Sequence, residues 1–301
     1  MPFTPLLLLV ATSLASGCLP QKLPYSSRAP RSLRLFQILS RGRGSRSWLR
    51  TPALVQELLK PKTNPNSNPR CGFHSSILSP RMMGGEEPHP GDFPWVASLL
   101  LPSSSCSGVL VSPQHLLTAA HCSSPCSTSC SGTASFPNGE TRGVAGVAHH
   151  PLYRRSSGVT PPSYDVALVL LSRPLEHLPP VCLPPWGLGL QGRLGTLVTS
   201  TTTGLEVAEV PLLGSRECAA QPGGSWPSMD QICGGRSGSR SAPCPGDSGA
   251  PLLLRKAGAW VVVGLVSHGP RECGATPVTY SRLETAMPWV LGQIGDMSGT
   301  V

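Results

Sequence analysis

The chain has 301 residues, with 33 glycines, 34 prolines and 11 cysteines. That composition weighs against a helical fold and favours a turn-rich, all-β architecture. The net charge of +9 does not point to nucleic-acid binding, because it is segregated: residues 22–81 carry 12 of the 24 Lys/Arg against the single acid Glu57, a net of +11, whereas residues 82–301 carry 12 bases against 14 acids, a net of −2.

From the N-terminus, residues 6–14 form an apolar run broken only by small residues, and Ala15-Ser16-Gly17 offers a small-x-small cleavage site. This reads as a secretory signal peptide over residues 1–17. The run is too short to span a bilayer, and no other segment is long enough, so no membrane span is expected. Abundant cysteine behind such a start points to secretion into an oxidising, extracellular setting. Residues 18–81 form a basic pro-segment. Pro61, Pro65 and Pro69, with Asn and Ser between them, favour a solvated and largely disordered linker. The same charge would suit docking on heparin-like surfaces, which makes an acidic glycan a candidate partner. A short helix is predicted over residues 52–60, with Thr51 as N-cap and Pro61 as its stop.

Cys71-Gly72 opens a different kind of sequence. Pro80-Arg81 then precedes Met82-Met83-Gly84-Gly85, and Asp92-Phe93-Pro94-Trp95 follows. Short apolar runs bounded by Gly, Pro and Ser predict strands at Val96–Leu101 and at 108–111, 166–171, 252–254 and 260–266. Ala286, Trp289, Val290 and Ile294 stand at helical spacing and predict a C-terminal helix over 284–294, with Pro288 tolerated in its first turn.

Three motifs carry chemistry: Thr118-Ala119-Ala120-His121-Cys122, Tyr164-Asp165-Val166-Ala167-Leu168 and Gly246-Asp247-Ser248-Gly249. They supply a base, a carboxylate to hold the base and a hydroxyl to attack with. Singly they are weak, since Gly-Asp-Ser-Gly alone occurs as a plain loop and a lone histidine or aspartate serves as readily in a core. Together, in the order His, Asp, Ser, they match one of the three known chain orders of this constellation and not the other two. On these residues the chain resembles the chymotrypsin/trypsin family of secreted serine proteases, from about Met82 to the C-terminal helix.

The resemblance implies a trypsin-like domain over residues 82–301, built as two six-stranded antiparallel β-barrels with a C-terminal helix. It implies catalysis by His121, Asp165 and Ser248, with the backbone N–H groups of Gly246 and Ser248 as the oxyanion hole. It places the activation cleavage between Arg81 and Met82, with the new Met82 ammonium pairing Asp247. The family usually begins with Ile-Val here. Methionine is apolar and flexible enough to fill the same pocket. Ser267 matches the strand that pairs with an extended substrate. By the same resemblance Ala242, Gly269 and Val278 line the specificity pocket. Trypsin-like members carry an aspartate where Ala242 stands and deep-pocketed members a glycine where Val278 stands, so the pocket is expected to be shallow and apolar.

Disulfide pairing is likewise implied only by resemblance: Cys71 with Cys182, Cys106 with Cys122, Cys218 with Cys233, and Cys244 with Cys273. Cys126 and Cys130 match no usual pair, and Cys18 is left over. One further family bridge lacks both cysteines, with Thr196 and Leu254 at the expected places. Residues 199–203 stand where many members have Gly-Trp-Gly and a long loop, and His268 stands where an aromatic is usual.

The expected function is that of a secreted serine endopeptidase made as a zymogen, cleaving after small apolar rather than basic residues. The alternative is a catalytically weak or inactive binding or regulatory protein on the same scaffold, since fold alone does not settle function. Expected partners are a protein or peptide substrate, an activating trypsin-like protease and serine-protease inhibitors. Neither a cofactor nor a metal is expected, because the cysteines are disulfide-spaced and no histidine pair has ligand spacing.

Overall fold

A computed structural model describes residues 71–73, 91–124, 130–156, 160–202, 204–238 and 242–298. The signal peptide, the helix over 52–60, Arg81, Met82, Cys18 and Cys126 all lie outside the described residues. The first barrel comprises β1 (Val96–Leu101), β2 (Ser104–Ser112), β3 (His115–Thr118), β4 (Thr133–Ser135), β5 (Thr141–His149) and β6 (Ala167–Leu171). Its strand order is β1-β2-β3-β6-β5-β4, closed by antiparallel pairing of β1 with β4. The second comprises β7 (Leu194–Ser200), β8 (Leu205–Leu213), β9 (Gln231–Gly234), β10 (Pro251–Lys256), β11 (Ala259–His268) and β12 (Val278–Arg282). Its order is β10-β11-β12-β9-β8-β7, closed by β10 on β7. Closure leaves no open sheet edge in either barrel. Short helices α1 (Ala120–Ser123) and α2 (Ser215–Ala219) interrupt the loops, and α3 (Leu283–Ser298) follows the last strand. The expected all-β architecture of two six-stranded antiparallel barrels with a C-terminal helix is the one observed.

The strands form where side chains can be buried. Eight consecutive residues of β11, Trp260 to Ser267, are buried, which is why this run reads as continuously apolar rather than alternating. By contrast β5 is half-exposed along its whole length, and its Gly143 and Gly146 hide the strand from a pattern-based reading. One apolar cluster joins Phe93, Trp95 and Val169 of the first barrel's neighbourhood to Val198, Leu253 and Leu265 of the second and to Val290 of α3. The barrels therefore share a continuous apolar seam. Helix α3 starts one residue before the predicted boundary and runs further, and exposed Pro288 lies in its second turn, where the predicted start at 284 would already have put it, and not in its first. There it removes the donor that would reach the Glu284 carbonyl.

Four disulfides join the expected pairs: Cys71 to Cys182, Cys106 to Cys122, Cys218 to Cys233 and Cys244 to Cys273. Cys130 is also disulfide-bonded. Gly72 is locked beside the first of these: its N–H donates to Pro180 O, its carbonyl accepts from Trp260 N, and a Cβ there would stand 2.2 Å from Trp260 O. Thr196 pairs with Leu253, one residue short of Leu254, so those two positions do not face each other directly across the ladder. The segment after β7 is a tight hairpin, closed by Thr201 N donating to Gly204 O at 2.7 Å.

His150 sits between the two barrels' contributions, stacked on Tyr164 at 4.6 Å and edge-on to Trp289 at 5.1 Å. Burial pushes its pKa down to about 4, against the pull of the Asp230 carboxylate. The unfolded chain protonates this histidine near 6.5 and the folded one only near 4, so between those values the unfolded state binds more protons. Stability is therefore expected to fall as pH drops through that window, by up to about 3 kcal/mol. His150→Gln should flatten this part of a Tm-against-pH curve; an unchanged acid slope would assign the loss to other groups.

Candidate active site

His121 lies in α1, immediately after β3, where the bond between Cys106 and Cys122 pins the helix to β2. Asp165 lies in the loop between β5 and β6 and is fully buried. An ionised carboxylate out of water needs every lone pair occupied. Here the His121 backbone N–H donates to Oδ1 at 2.8 Å, while His121 Nδ1 at 2.7 Å and the Ser267 hydroxyl at 2.6 Å both meet Oδ2. The Ser281 hydroxyl donates to the Asp165 backbone carbonyl at 2.9 Å. Because the carboxylate accepts from Nδ1, the other ring nitrogen is left as an acceptor. Ser248 Oγ stands 2.9 Å from that Nε2. The structure thus brings His121, Asp165 and Ser248 together in one hydrogen-bonded line.

Ser248 comes from the second barrel, in the turn before β10. Its carbonyl accepts from the Ser107 N–H of β2 at 2.8 Å. Gly249, with φ +78°, makes the docking possible: a Cβ there would lie 2.3 Å from both Ser107 O and Thr118 Oγ1. Gly246, with φ +110°, needs glycine for a different reason, since its Cβ position is open and only the backbone conformation excludes other residues. Asp247 is turned so that its Oδ2 accepts from Cys244 N at 2.6 Å. Burial pushes its carboxyl above the ordinary range, and the Cys244 N–H opposes that shift. A carboxylate in this condition would gain from a cationic neighbour.

Of the expected specificity residues, Val278 is buried and projects at Gly269: its Cγ2 lies 3.2 Å from where a Gly269 Cβ would stand. Gly269 is itself exposed, and Ala242 is partly buried beside buried Pro243. Ser267, expected on a substrate-pairing strand, also holds the Asp165 carboxylate. Ser281 and Ser107 escaped the sequence reading. Ser281 is a buried hydroxyl in the short strand Val-Thr-Tyr-Ser-Arg, and nothing in the local sequence marks it.

A family model described as Trypsin matches residues 82–290. A hepatocyte growth factor activator serine protease of mouse (Mus musculus) is 30% identical over 273 residues, covering 81% of this chain and 41% of that protein. The human (Homo sapiens) protein of that name is 30% identical over 245 residues, covering 73% and 37%. The dog (Canis lupus familiaris) counterpart is 29% identical over 282 residues, covering 82% and 42%. The chain spans about two-fifths of the length of these relatives.

The two glycines should separate cleanly in thermal unfolding. Gly249→Ala forces a methyl group into backbone and hydroxyl oxygens, and is expected to cost about 3 kcal/mol or more, or about 6–12 °C in Tm. Gly246→Ala meets open space and should cost only the backbone strain, about 1–3 kcal/mol, which Gly249→Ala carries in addition to its clash. Equal losses in the two variants would contradict the packing described.

Proposed function

We propose, since the chain belongs to the trypsin family of serine proteases, that it is a secreted serine endopeptidase made as a zymogen. The observation that carries the reading is the line from Asp165 Oδ2 through His121 to Ser248 Oγ, with contacts of 2.7 and 2.9 Å. In this reading the Ser248 hydroxyl attacks the scissile carbonyl as His121 Nε2 takes its proton. Asp165 holds the imidazole tautomer and stabilises the imidazolium. The negative oxygen of the tetrahedral intermediate is met by the Gly246 and Ser248 N–H groups, each worth roughly 2.7–4 kcal/mol in the transition state. His121 then protonates the departing amine, and water repeats the sequence on the acyl-enzyme.

Cleavage between Arg81 and Met82 would release the Met82 ammonium to pair with Asp247, whose raised carboxyl pKa is what such a partner would relieve. The signal-like run at residues 6–14 and the four disulfides support secretion. Through the bond between Cys71 and Cys182 the pro-segment would stay attached after cleavage. Its 12 bases would then remain available to an acidic glycan. Serine-protease inhibitors are natural further partners. The serine protease in the relatives' names supports the hydrolase reading.

Fluorophosphonate labelling of protein cleaved after Arg81 tests the chemistry. Label is expected on Ser248, absent in Ser248→Ala and weak in the uncleaved form. Folded, cleaved protein that takes no label would favour the binding or regulatory alternative instead.

Val278 packed beside Gly269, with neutral Ala242 where the resemblance puts the pocket floor, supports a shallow apolar pocket. A guanidinium there would be buried without a partner. Small aliphatic residues before the scissile bond are therefore the proposed preference, and activation at Arg81 falls to another, trypsin-like protease. Peptide substrates with Ala or Val at that position should be cleaved with kcat/KM at least about 100-fold above Arg or Lys analogues. The reverse ranking would overturn the proposed pocket.

A further inference from the structure

Tyr164 carries an unusual backbone. Its φ is +45°, in the left-handed region that an aromatic residue seldom adopts. It immediately precedes Asp165, so this conformation decides where the buried carboxylate points. Such a conformation persists only where its surroundings over-determine it. On one side the ring is stacked against His150, with 10° between planes. On the other, the Tyr164 N–H donates to Oδ2 of Asp230 at 2.6 Å. Val166 N closes the turn on Tyr164 O at 2.7 Å.

Asp230 belongs to the second barrel, at the start of β9, and is buried. Its second oxygen accepts from the Ser228 hydroxyl at 2.6 Å, and its carbonyl accepts from Arg282 N at 2.8 Å. The next residue extends the same grip: Gln231 Nε2 donates to Pro162 O at 2.9 Å, while its Oε1 accepts from Ser228 N at 3.0 Å. Residues 228–231 thus form a clamp on residues 162–164. The titratable or charged groups around it are His150, which burial keeps neutral down to about pH 4, Tyr164, whose hydroxyl pKa burial raises, and Arg282, whose Nε donates to Gln231 O.

We infer that Asp230 is a positioning residue for the candidate triad: its carboxylate holds the Tyr164 N–H, and with it the strained turn that aims Asp165 at His121. Asp230 touches neither Ser248 nor His121 and acts only through Asp165. A charged acceptor suits the task, because bonds to ionised groups are stronger than neutral ones. An amide oxygen could make the same bond more weakly. The inference rests on the proposed hydrolase reading.

The experiment compares Asp230→Ala with Asp230→Asn in the full chain cleaved after Arg81. One readout is steady-state kinetics on a small-residue peptide substrate. The other is the low-field proton resonance of His121 Nδ1–H bonded to Asp165, which needs no turnover. Alanine should lower kcat by about ten- to a hundredfold with KM little changed, and should shift or abolish the resonance. Asparagine should restore most of both. Asp230→Ser, too short to reach Tyr164, replaces the alanine variant if that one does not fold, with the same result expected. A kcat within twofold of the parent and an unmoved resonance in the alanine or serine variant would overturn the inference, as would an asparagine variant as impaired as alanine. If the parent shows the resonance but no turnover, the hydrolase reading fails, and the resonance in the variants still decides the role of Asp230.

Discussion

A carboxylate buried in a protein is stable only if its surroundings replace the water it has lost. Asp165 meets that condition through donors from two barrels at once. His121 supplies a backbone N–H and a ring N–H from the first barrel, and Ser267 supplies a hydroxyl from the second. The charge therefore cannot be accommodated unless the barrels are docked. Once they are, the imidazole is held in the tautomer that leaves Nε2 free to accept from Ser248. The same contact that satisfies the buried charge leaves Nε2 facing Ser248 as an acceptor.

The dependence runs the other way as well. Ser248 belongs to the second barrel, yet its carbonyl is held by Ser107 of the first. Gly249 lets the two surfaces approach so closely that a methyl group would not fit between them. Each barrel thus carries part of the site and anchors the part carried by the other. The continuous apolar seam through Phe93, Leu253 and Leu265 supplies non-directional cohesion, and the hydrogen bonds crossing it set the register. A small relative shift of the barrels would break several of these bonds together, which makes the triad a sensitive reporter of their docking.

This division explains what could be read from the chain beforehand. His121, Asp165 and Ser248 stand inside short local motifs, and the strands of β1, β10 and β11 are apolar runs between turn residues. Local pattern suffices for both. Ser281, Asp230 and Ser107 reach partners 116, 66 and 93 positions away, at Asp165, Tyr164 and Ser200. No local pattern distinguishes these polar residues from others that face solvent. Strand β5 was hidden for a related reason: half-exposed and glycine-containing, it has neither a clean alternation nor a continuous apolar run. Pro288 lies one position deeper in α3 than expected because the helix begins at Leu283, which is buried in the shared core.

Only four residues separate β7 from β8. The ladder between β7 and β8 runs to its last possible pair, Ser200 opposite Leu205, and a single tight turn closes it. Ser200 N then donates across the seam to the Ser107 hydroxyl at 3.2 Å. Ser107 is fully buried, and its own N–H is the group that holds the Ser248 carbonyl. The Thr118 hydroxyl caps its remaining carbonyl at 2.7 Å. One small residue, through its hydroxyl, N–H and carbonyl, therefore connects the hairpin, the strand leading to His121 and the Ser248 backbone. A short hairpin has less conformational entropy to lose than a long loop, so a few hydrogen bonds are enough to hold it. Strand pairing and the Ser107 junction together tie this hairpin to the site.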